Sequence, residues 1–249
     1  MTVGTEDELE ALREVGAIVA RTLRAMAVSL EPGMTTRELD AIGAAELARC
    51  GARPAPALTY GFPGATCISV APAIAHGVPG ERRQRPGDLV NIDVSAEKGG
   101  YFADTGASYA VPPVQPGDRV LIAAAHAATA AGVAAVRAGA PLRAIGSAVE
   151  AEARRRRVGL LRNLASHGTG RALHEAPEAI PTWHEPSERR RIGAGMVFTI
   201  EPFVSTGARH AEEASDGWTL TLPPPHRAAQ VEHTVVATRS GAIVLTLLR

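Results

Sequence analysis

Asn91-Ile92-Asp93-Val94 and, eleven residues after Asp93, Ala103-Asp104-Thr105-Gly106 decide how this chain is read. Between them lies a turn signal, Glu97-Lys98-Gly99-Gly100. Val90, Ile92 and Val94 alternate with Asn91, Asp93 and Ser95, which is strand periodicity folding into a hairpin. A two-residue turn at Lys98-Gly99 sets Asp93 directly opposite Asp104, with Cβ atoms about 5 Å apart. Two carboxylates so placed repel: either one is protonated or a cation lies between them. On the hairpin alone, two solvated aspartates would be the simpler account.

Three further stretches argue against that account: Ser166-His167-Gly168-Thr169-Gly170-Arg171-Ala172-Leu173-His174, Val197-Phe198-Thr199-Ile200-Glu201-Pro202, and Gln230-Val231-Glu232-His233-Thr234-Val235-Val236. The last two read as strands, each carrying a carboxylate in a setting too apolar for a surface strand. Pro202 holds Glu201 extended. A buried carboxylate without a partner costs several kcal/mol or more. Asp93, Asp104, Glu201 and Glu232 together carry a formal charge of −4, which two divalent ions balance. With His167 as a nitrogen donor, the set suits Mn²⁺, Fe²⁺, Co²⁺ or Zn²⁺.

Composition bounds the alternatives. The chain has 249 residues, 45% of them hydrophobic, enough for one sizeable α/β core. Its formal net charge of 0 points to neither nucleic acid nor a membrane surface. No apolar run reaches spanning length, and the acidic, amphipathic N-terminus does not read as a signal peptide. Two cysteines, Cys50 and Cys67, suggest reduced thiols and a cytoplasmic setting.

Thr5-x-x-Glu8 opens a helix with Leu9, Leu12, Val15, Val19, Leu23 and Met26 at helical spacing, and Thr35-x-x-Glu38 opens a second. Residues 51–65 read as a loop. Strands are expected at about 66–70, 89–96 and 101–111, and helices at about 117–137 and 141–158. From about 160 the chain reads as strands, with long loops at 176–194 and 206–228. Gly33 to Leu39 realigns on Gly139 to Ile145, a faint repeat in which each copy begins the second helix of a pair.

The chain resembles a type I methionine aminopeptidase of the pita-bread (creatinase/aminopeptidase) fold. The resemblance rests on Cys67-Ile68-Ser69-Val70 leading to His76-Gly77-Val78-Pro79, on the stretches quoted above, on Glu175 closing the histidine stretch, and on Asp216-Gly217-Trp218-Thr219. It runs from about Glu8 to Val244. It implies an α+β architecture, a curved antiparallel sheet backed by two pseudo-twofold-related helix pairs, with residues 1–249 forming one catalytic domain. It implies removal of the initiator methionine from nascent chains and peptides when the second residue is small. Asp93 would chelate one metal ion, Asp104 and Glu232 would bridge two, and His167 and Glu201 would complete the second. The ions would hold and acidify a water, and Glu201 would take its proton. His174 would donate to the scissile carbonyl or oxyanion and His76 would assist the leaving amine. Tyr60, Phe62, Cys67, Leu173 and Trp218, with the two histidines, would line the substrate pocket.

Two departures from the family pattern stand out. Ala71-Pro72-Ala73-Ile74-Ala75 replaces the usual Asn and acidic residues, near where backbone groups of relatives hold a monovalent cation. Ser166 and Thr169 replace the usual Gly and Ile. The arginines at 154–157 read as a solvated face near a helix C-terminus, and His126, His184, His210, His226 and His233 carry no expected function. The 207–228 loop is not notably basic, which argues against ribosome docking through it, although relatives dock through basic loops. A monomer is expected. An enzyme cleaving Xaa-Pro bonds and a catalytically dead binding module are the competing readings. Relatives of the first kind usually carry a separate N-terminal domain, and modules of the second lose metal ligands. Met1-Thr2, ahead of Thr5, reads as a flexible terminus open to removal of Met1 by a second molecule.

Overall fold

A computed structural model describes residues 1–248. Two helix pairs back a set of antiparallel strands. Helix α1 (Glu6–Ser29) is capped by Thr5, whose side chain accepts from the Glu8 N–H. Helix α2 (Thr36–Arg49) has the full reciprocal box: the Glu38 N–H donates to Thr35 Oγ1 at 3.1 Å, and Glu38 Oε2 accepts from the Thr35 N–H at 2.7 Å. The stretch expected as a loop holds helix α3 (Ala55–Tyr60), short and started by Pro56. Helices α4 (Pro116–Ala135) and α5 (Arg143–Arg155) form the second pair.

The repeat is real in three dimensions. Gly33 and Gly139 share a φ near +90°, where side chains are disfavoured. Arg83 Nη1 donates to the Gly33 carbonyl at 2.8 Å, and Arg191 Nη1 donates to the Gly139 carbonyl at 2.6 Å. Gly33 N–H bonds Gln84 O, and Gly139 N–H bonds Ile192 O. The offset from Arg83 to Arg191 is 108 residues, and that same offset carries Gly87 onto Gly195 and Asp93 onto Glu201.

The Leu89–Lys98 and Tyr101–Ala110 strands form the expected hairpin, paired on its other edge with Cys67–Val70 and Arg53–Pro54. Its register differs from the expected one. The turn is Gly99-Gly100, at φ +60° and +83°, as a primed two-residue turn demands. Asp93 therefore faces Gly106, and Asp104 faces Ser95. The two aspartates share one face of the hairpin on a diagonal rather than as direct partners. Two glycines in sequence leave the turn free to take positions 99 and 100, and only the backbone decides between the registers.

The second half builds a five-stranded sheet in the order Ala242–Val244, His233–Ala237, Val197–Ile200, Ser166–Gly168, Glu175–Ile180. A three-stranded sheet, Ala228–Gln230, Phe203–Ser205 and Gly159–Leu160, continues beyond it. The strands expected at 197–202 and 230–236 are thus each broken, at Glu201-Pro202 and Val231-Glu232. His233 pairs with Ile200 and Phe203 with Gln230, so one register spans the gap and sets Glu201 opposite Glu232. Pro202 has no N–H to continue the ladder. The Glu232 N–H instead donates to Gly106 O at 2.8 Å, stitching this gap to the hairpin.

Val90, Ile92 and Val94 meet α1 residues Val15, Ile18, Val19 and Met26 in the core. Leu121, Ala124 and Ala128 of α4 share it with Phe198 and Ile200. The polar face of the hairpin is buried as well: Asn91, Ser95 and Asp104 are all shielded from solvent. Helices take one face, and the other looks inward on the carboxylates.

Met1 is not free. Its ammonium pairs with Glu175 and donates to Thr169 O, its carbonyl accepts from the Val197 N–H, and its side chain lies over Gly170. The terminus is an added edge segment, bridging Thr2 to Met196, and not the flexible tail expected ahead of Thr5.

Thr35→Ala removes the acceptor for the Glu38 N–H and the partner of the box. It should lower unfolding free energy by about 1 kcal/mol in urea titrations with an unchanged slope.

Candidate metal centre and substrate cavity

Asp104, His167 and Glu232 each offer a ligand atom within 4.8 Å of the others. They are 6%, 5% and 1% exposed. Asp104 reaches the cluster from the hairpin, His167 from the middle of the Ser166–Gly168 strand, and Glu232 from the gap. Glu201 joins them, with Oε1 at 3.4 Å from His167 Nε2. Asp93 lies close enough to Asp104 for a carboxyl–carboxyl hydrogen bond when one is protonated. All five expected donors therefore converge.

Four of the five donors are braced by a hydroxyl or amide. Thr199 Oγ1 accepts from the His167 N–H and donates to Glu201 Oε1 at 2.6 Å. Thr234 Oγ1 accepts from the Asp104 N–H and donates to the Asp104 carbonyl. Gln230 Nε2 donates to Glu232 Oε2 at 3.0 Å, its own oxygen held by Asn91 Nδ2 at 2.8 Å. Gly106 gives that amide room: a Cβ there would lie 2.9 Å from Gln230 Oε1 and 3.3 Å from Glu232 Oε2. Ser166, flagged as a departure, accepts the Glu201 N–H at 3.0 Å where the strand breaks. Thr169 donates to Ala172 O, inside the loop that carries Leu173 and His174. Asn91, Ser166, Thr199, Gln230 and Thr234 were not singled out from sequence as supports of the site. Asn91, Thr199, Gln230 and Thr234 share a signal, a polar residue two positions from a ligand, whereas Ser166 directly precedes one.

Two buried carboxylate oxygens have no partner among the described residues: Asp104 Oδ1 and Glu232 Oε1. Orphaned buried carboxylate oxygens are costly unless a cation meets them, so hard divalent ions fit this donor set. Burial and mutual repulsion push the carboxyls of Asp104 and Glu232 well above the usual range. Burial raises Glu201 to about 8 and also raises Asp93. His167 is driven down to about 3, chiefly by burial, and His174 to about 4 by burial and then His76. Both imidazoles are neutral at pH 7, as metal ligation or hydrogen-bond donation requires.

A cavity of about 300 Å³ opens over the cluster. Every pocket residue named from sequence lines it: Tyr60, Phe62, Cys67, His76, Leu173, His174 and Trp218. Pro56 and Ser95 line it too and were missed. Phe62 and Trp218 meet edge to face at 5.2 Å between centroids. Asp216 accepts from the backbone N–H groups of Trp218 and Thr219, an Asx turn that fixes the tryptophan's approach. His76 occupies the left-handed region at φ +52°, uncommon for a side chain and frequent at functional sites. Ala71 to Ala75 supplies a short strand, Ala73–Ala75, paired with Leu220–Thr221 near that histidine.

The residues without expected function remain outside the cluster. His233 turns to the opposite side, with Nδ1 2.8 Å from Thr246 Oγ1. Arg154 pairs with Glu150, and Arg155 and Arg156 pair with Glu152.

A buried carboxylate–imidazole cluster under an apolar cavity defines a hydrolytic metalloenzyme site. The chain belongs to metallopeptidase family M24, whose model matches residues 10–239. It is 43% identical over 249 residues to methionine aminopeptidase 2 of Bacillus subtilis, covering all of both chains. It is 42% identical to a methionine aminopeptidase of Staphylococcus epidermidis over 247 residues, 99% of this chain and 98% of that one. The crystal structure of methionine aminopeptidase from Rickettsia prowazekii superposes with a TM-score of 0.94 at 32% identity, covering 99% of this chain and all of that one. The fold is accordingly the pita-bread fold inferred from the sequence.

Gly106→Ala should destabilise the protein by about 1–3 kcal/mol, the usual cost of overpacking a core. Gly80→Ala, where a Cβ meets nothing within 4 Å, should change stability by less than about 0.5 kcal/mol. Equal effects in urea titrations would contradict the close approach at Gly106.

Proposed function

We propose that this chain removes N-terminal methionine by metal-dependent hydrolysis of the first peptide bond, as a single catalytic domain spanning residues 1–249. One observation carries the reading. Asp93, Asp104 and Glu201 form the floor of a cavity whose walls are Phe62, Cys67, Leu173 and Trp218, and the partnerless oxygens of Asp104 and its cluster neighbour Glu232 are buried there. The floor suits hard cations and the walls suit a flexible thioether side chain, which gains from sulfur–aromatic contact.

Two divalent ions, of Mn, Fe, Co or Zn, would be held by Asp93, Asp104, His167, Glu201 and Glu232, with Asp104 and Glu232 shared. When bound, they supply Lewis-acid chemistry, acidifying a water and offsetting charge that develops on the scissile carbonyl. The protein's own groups do the rest. Glu201 is the general base. Thr199 occupies Oε1, so Oε2 is the oxygen that takes the proton and returns it to the departing amine. His174 donates a hydrogen bond to the carbonyl oxygen, and His76 donates near the amide nitrogen as it leaves. The cavity sides hold the methionine side chain and orient the first bond over the carboxylates. A small second residue is preferred. The substrate is the N-terminus of a peptide or nascent chain, met by a cytoplasmic monomer. A monovalent cation near Ala71–Ala75 and transient contact with the ribosome are finer parts of the same reading.

Hydrolysis of Met-Ala-Ser, and not of Ala-Pro peptides, tests the specificity directly. Asp104→Ala should abolish turnover and lower the content of both ions in elemental analysis. His174→Ala should keep its metal and lose roughly 10²–10³ in kcat. Metal loss in the second variant would make His174 a ligand and contradict its assignment as a donor.

The raised carboxyls make a separate prediction. In metal-stripped protein, Asp104, Glu201 and Glu232 hold protons that the unfolded chain, with carboxyl pKa values of about 3.9 for Asp and about 4.3 for Glu, has already released. Their contribution to stability is therefore complete below about pH 4. It is lost as pH rises through the folded value, about 8 for Glu201. His167 acts oppositely, favouring the fold above its unfolded value of about 6.5 and costing stability below it. Between about pH 7 and 8, where His167, His174 and His233 are largely neutral in both states, the carboxylates dominate the slope, so the melting temperature of stripped protein should fall across that window. Added Mn²⁺ should remove the fall, because ligation holds the groups deprotonated. An equal slope with and without metal would count against these carboxylates as its ligands.

A further inference from the structure

Tyr60 makes a contact that the pocket role leaves unexplained. Its Oη lies 2.6 Å from His174 Nδ1, across 114 residues of chain. The rings are 5.6 Å apart and inclined at 51°. His174 also rests against His167, with centroids 3.9 Å apart. The three rings are in contact in turn, Tyr60 about half exposed and His167 buried in the cluster. Tyr60 ends α3, and Gly61 closes that helix in the left-handed conformation at φ +69°. The bend sends Tyr60 to the rim while Phe62 enters the cavity wall.

A phenol is a stronger hydrogen-bond donor than a neutral imidazole N–H, and an imidazole nitrogen is a stronger acceptor than a phenol oxygen. The short contact is therefore an O–H donating to a bare Nδ1. A neutral imidazole carries one proton, so a bare Nδ1 places it on Nε2. Nε2 makes no hydrogen bond among the described residues and is left for the substrate. We propose that Tyr60 is a positioning residue: its hydroxyl fixes the His174 ring and its Nε2–H tautomer, so that Nε2–H faces the scissile carbonyl. This rests on the reading of His174 as the carbonyl donor. The logic parallels the catalytic triad, where a partner on one imidazole nitrogen sets what the other can do.

Tyr60→Phe removes the hydroxyl and keeps the ring that lines the cavity. On Met-Ala-Ser, with metal-loaded protein, kcat should fall about tenfold, the worth of one hydrogen bond, with KM and metal content near wild type. The same change made in His174→Ala should have no further effect, because the hydroxyl acts only through that ring. In zinc-loaded protein with ¹⁵N-labelled histidine, the His174 signals should show a protonated Nε2 and a bare Nδ1 in wild type, and a mixture in Tyr60→Phe. Undiminished kcat in Tyr60→Phe, a tenfold loss that persists in the His174→Ala background, or a proton on Nδ1 in wild type would each overturn the proposal. If His174→Ala itself turns over normally, the donor reading fails first, which separates that failure from a failure of the tyrosine's role.

Discussion

Asp104 Oδ1 and Glu232 Oε1 are shut off from water and from every protein donor among the described residues. Around them Asp93 and Glu201 add two more carboxyls, and among the described residues no lysine or arginine pairs with any of the four. Leaving such a cluster charged without compensation would cost more than a domain's whole stability. The surrounding structure reads as the means of assembling these groups and holding them still for cations. Hydroxyls of Thr199 and Thr234 and the amide of Gln230 serve that end, and Gly106 is bare because a side chain would push the Gln230 amide aside.

The internal symmetry explains how one chain delivers so many carboxylates to one point. Gly87 and Gly195 share a positive φ, and each precedes a strand whose register carries an acid six residues on, Asp93 in one half and Glu201 in the other. The hairpin supplies Asp104, and the gap in the second-half ladder supplies Glu232. The halves meet through the Glu232 N–H on Gly106 O and the bridge between Ala107 and Val231. Helix pairs outside press both halves together. The Ser166 hydroxyl that caps the Glu201 N–H shows the same economy, repairing the backbone where the strand stops.

Much of this was legible in the residues because it follows from local periodicity. Caps at Thr5 and Thr35, the alternation at Val90 to Ser95 and the ligand-bearing stretches each announce themselves within a few positions. The five donors could be read from strand position and charge, their separate roles and the pocket residues came by resemblance, and their convergence needed the fold. What the sequence hid depends on contacts between distant segments. Two adjacent glycines allow more than one turn, so the hairpin register waited on packing. The breaks at Glu201 and Glu232 are invisible to alternation, since a strand and two strands sharing a register have the same period. The seating of Met1 on Glu175 joins residues 174 apart, and nothing local to either announces it. The link from Tyr60 to His174 is of the same kind.

The central claim is that the buried carboxylates exist to hold two divalent cations. Anomalous diffraction from crystals of the chain grown with Mn²⁺ tests it most directly. The account predicts two peaks, one on each side of Asp104 and Glu232, with His167 and Glu201 beside one and Asp93 beside the other. No peak at this cluster, or ions bound only elsewhere on the chain, would contradict it.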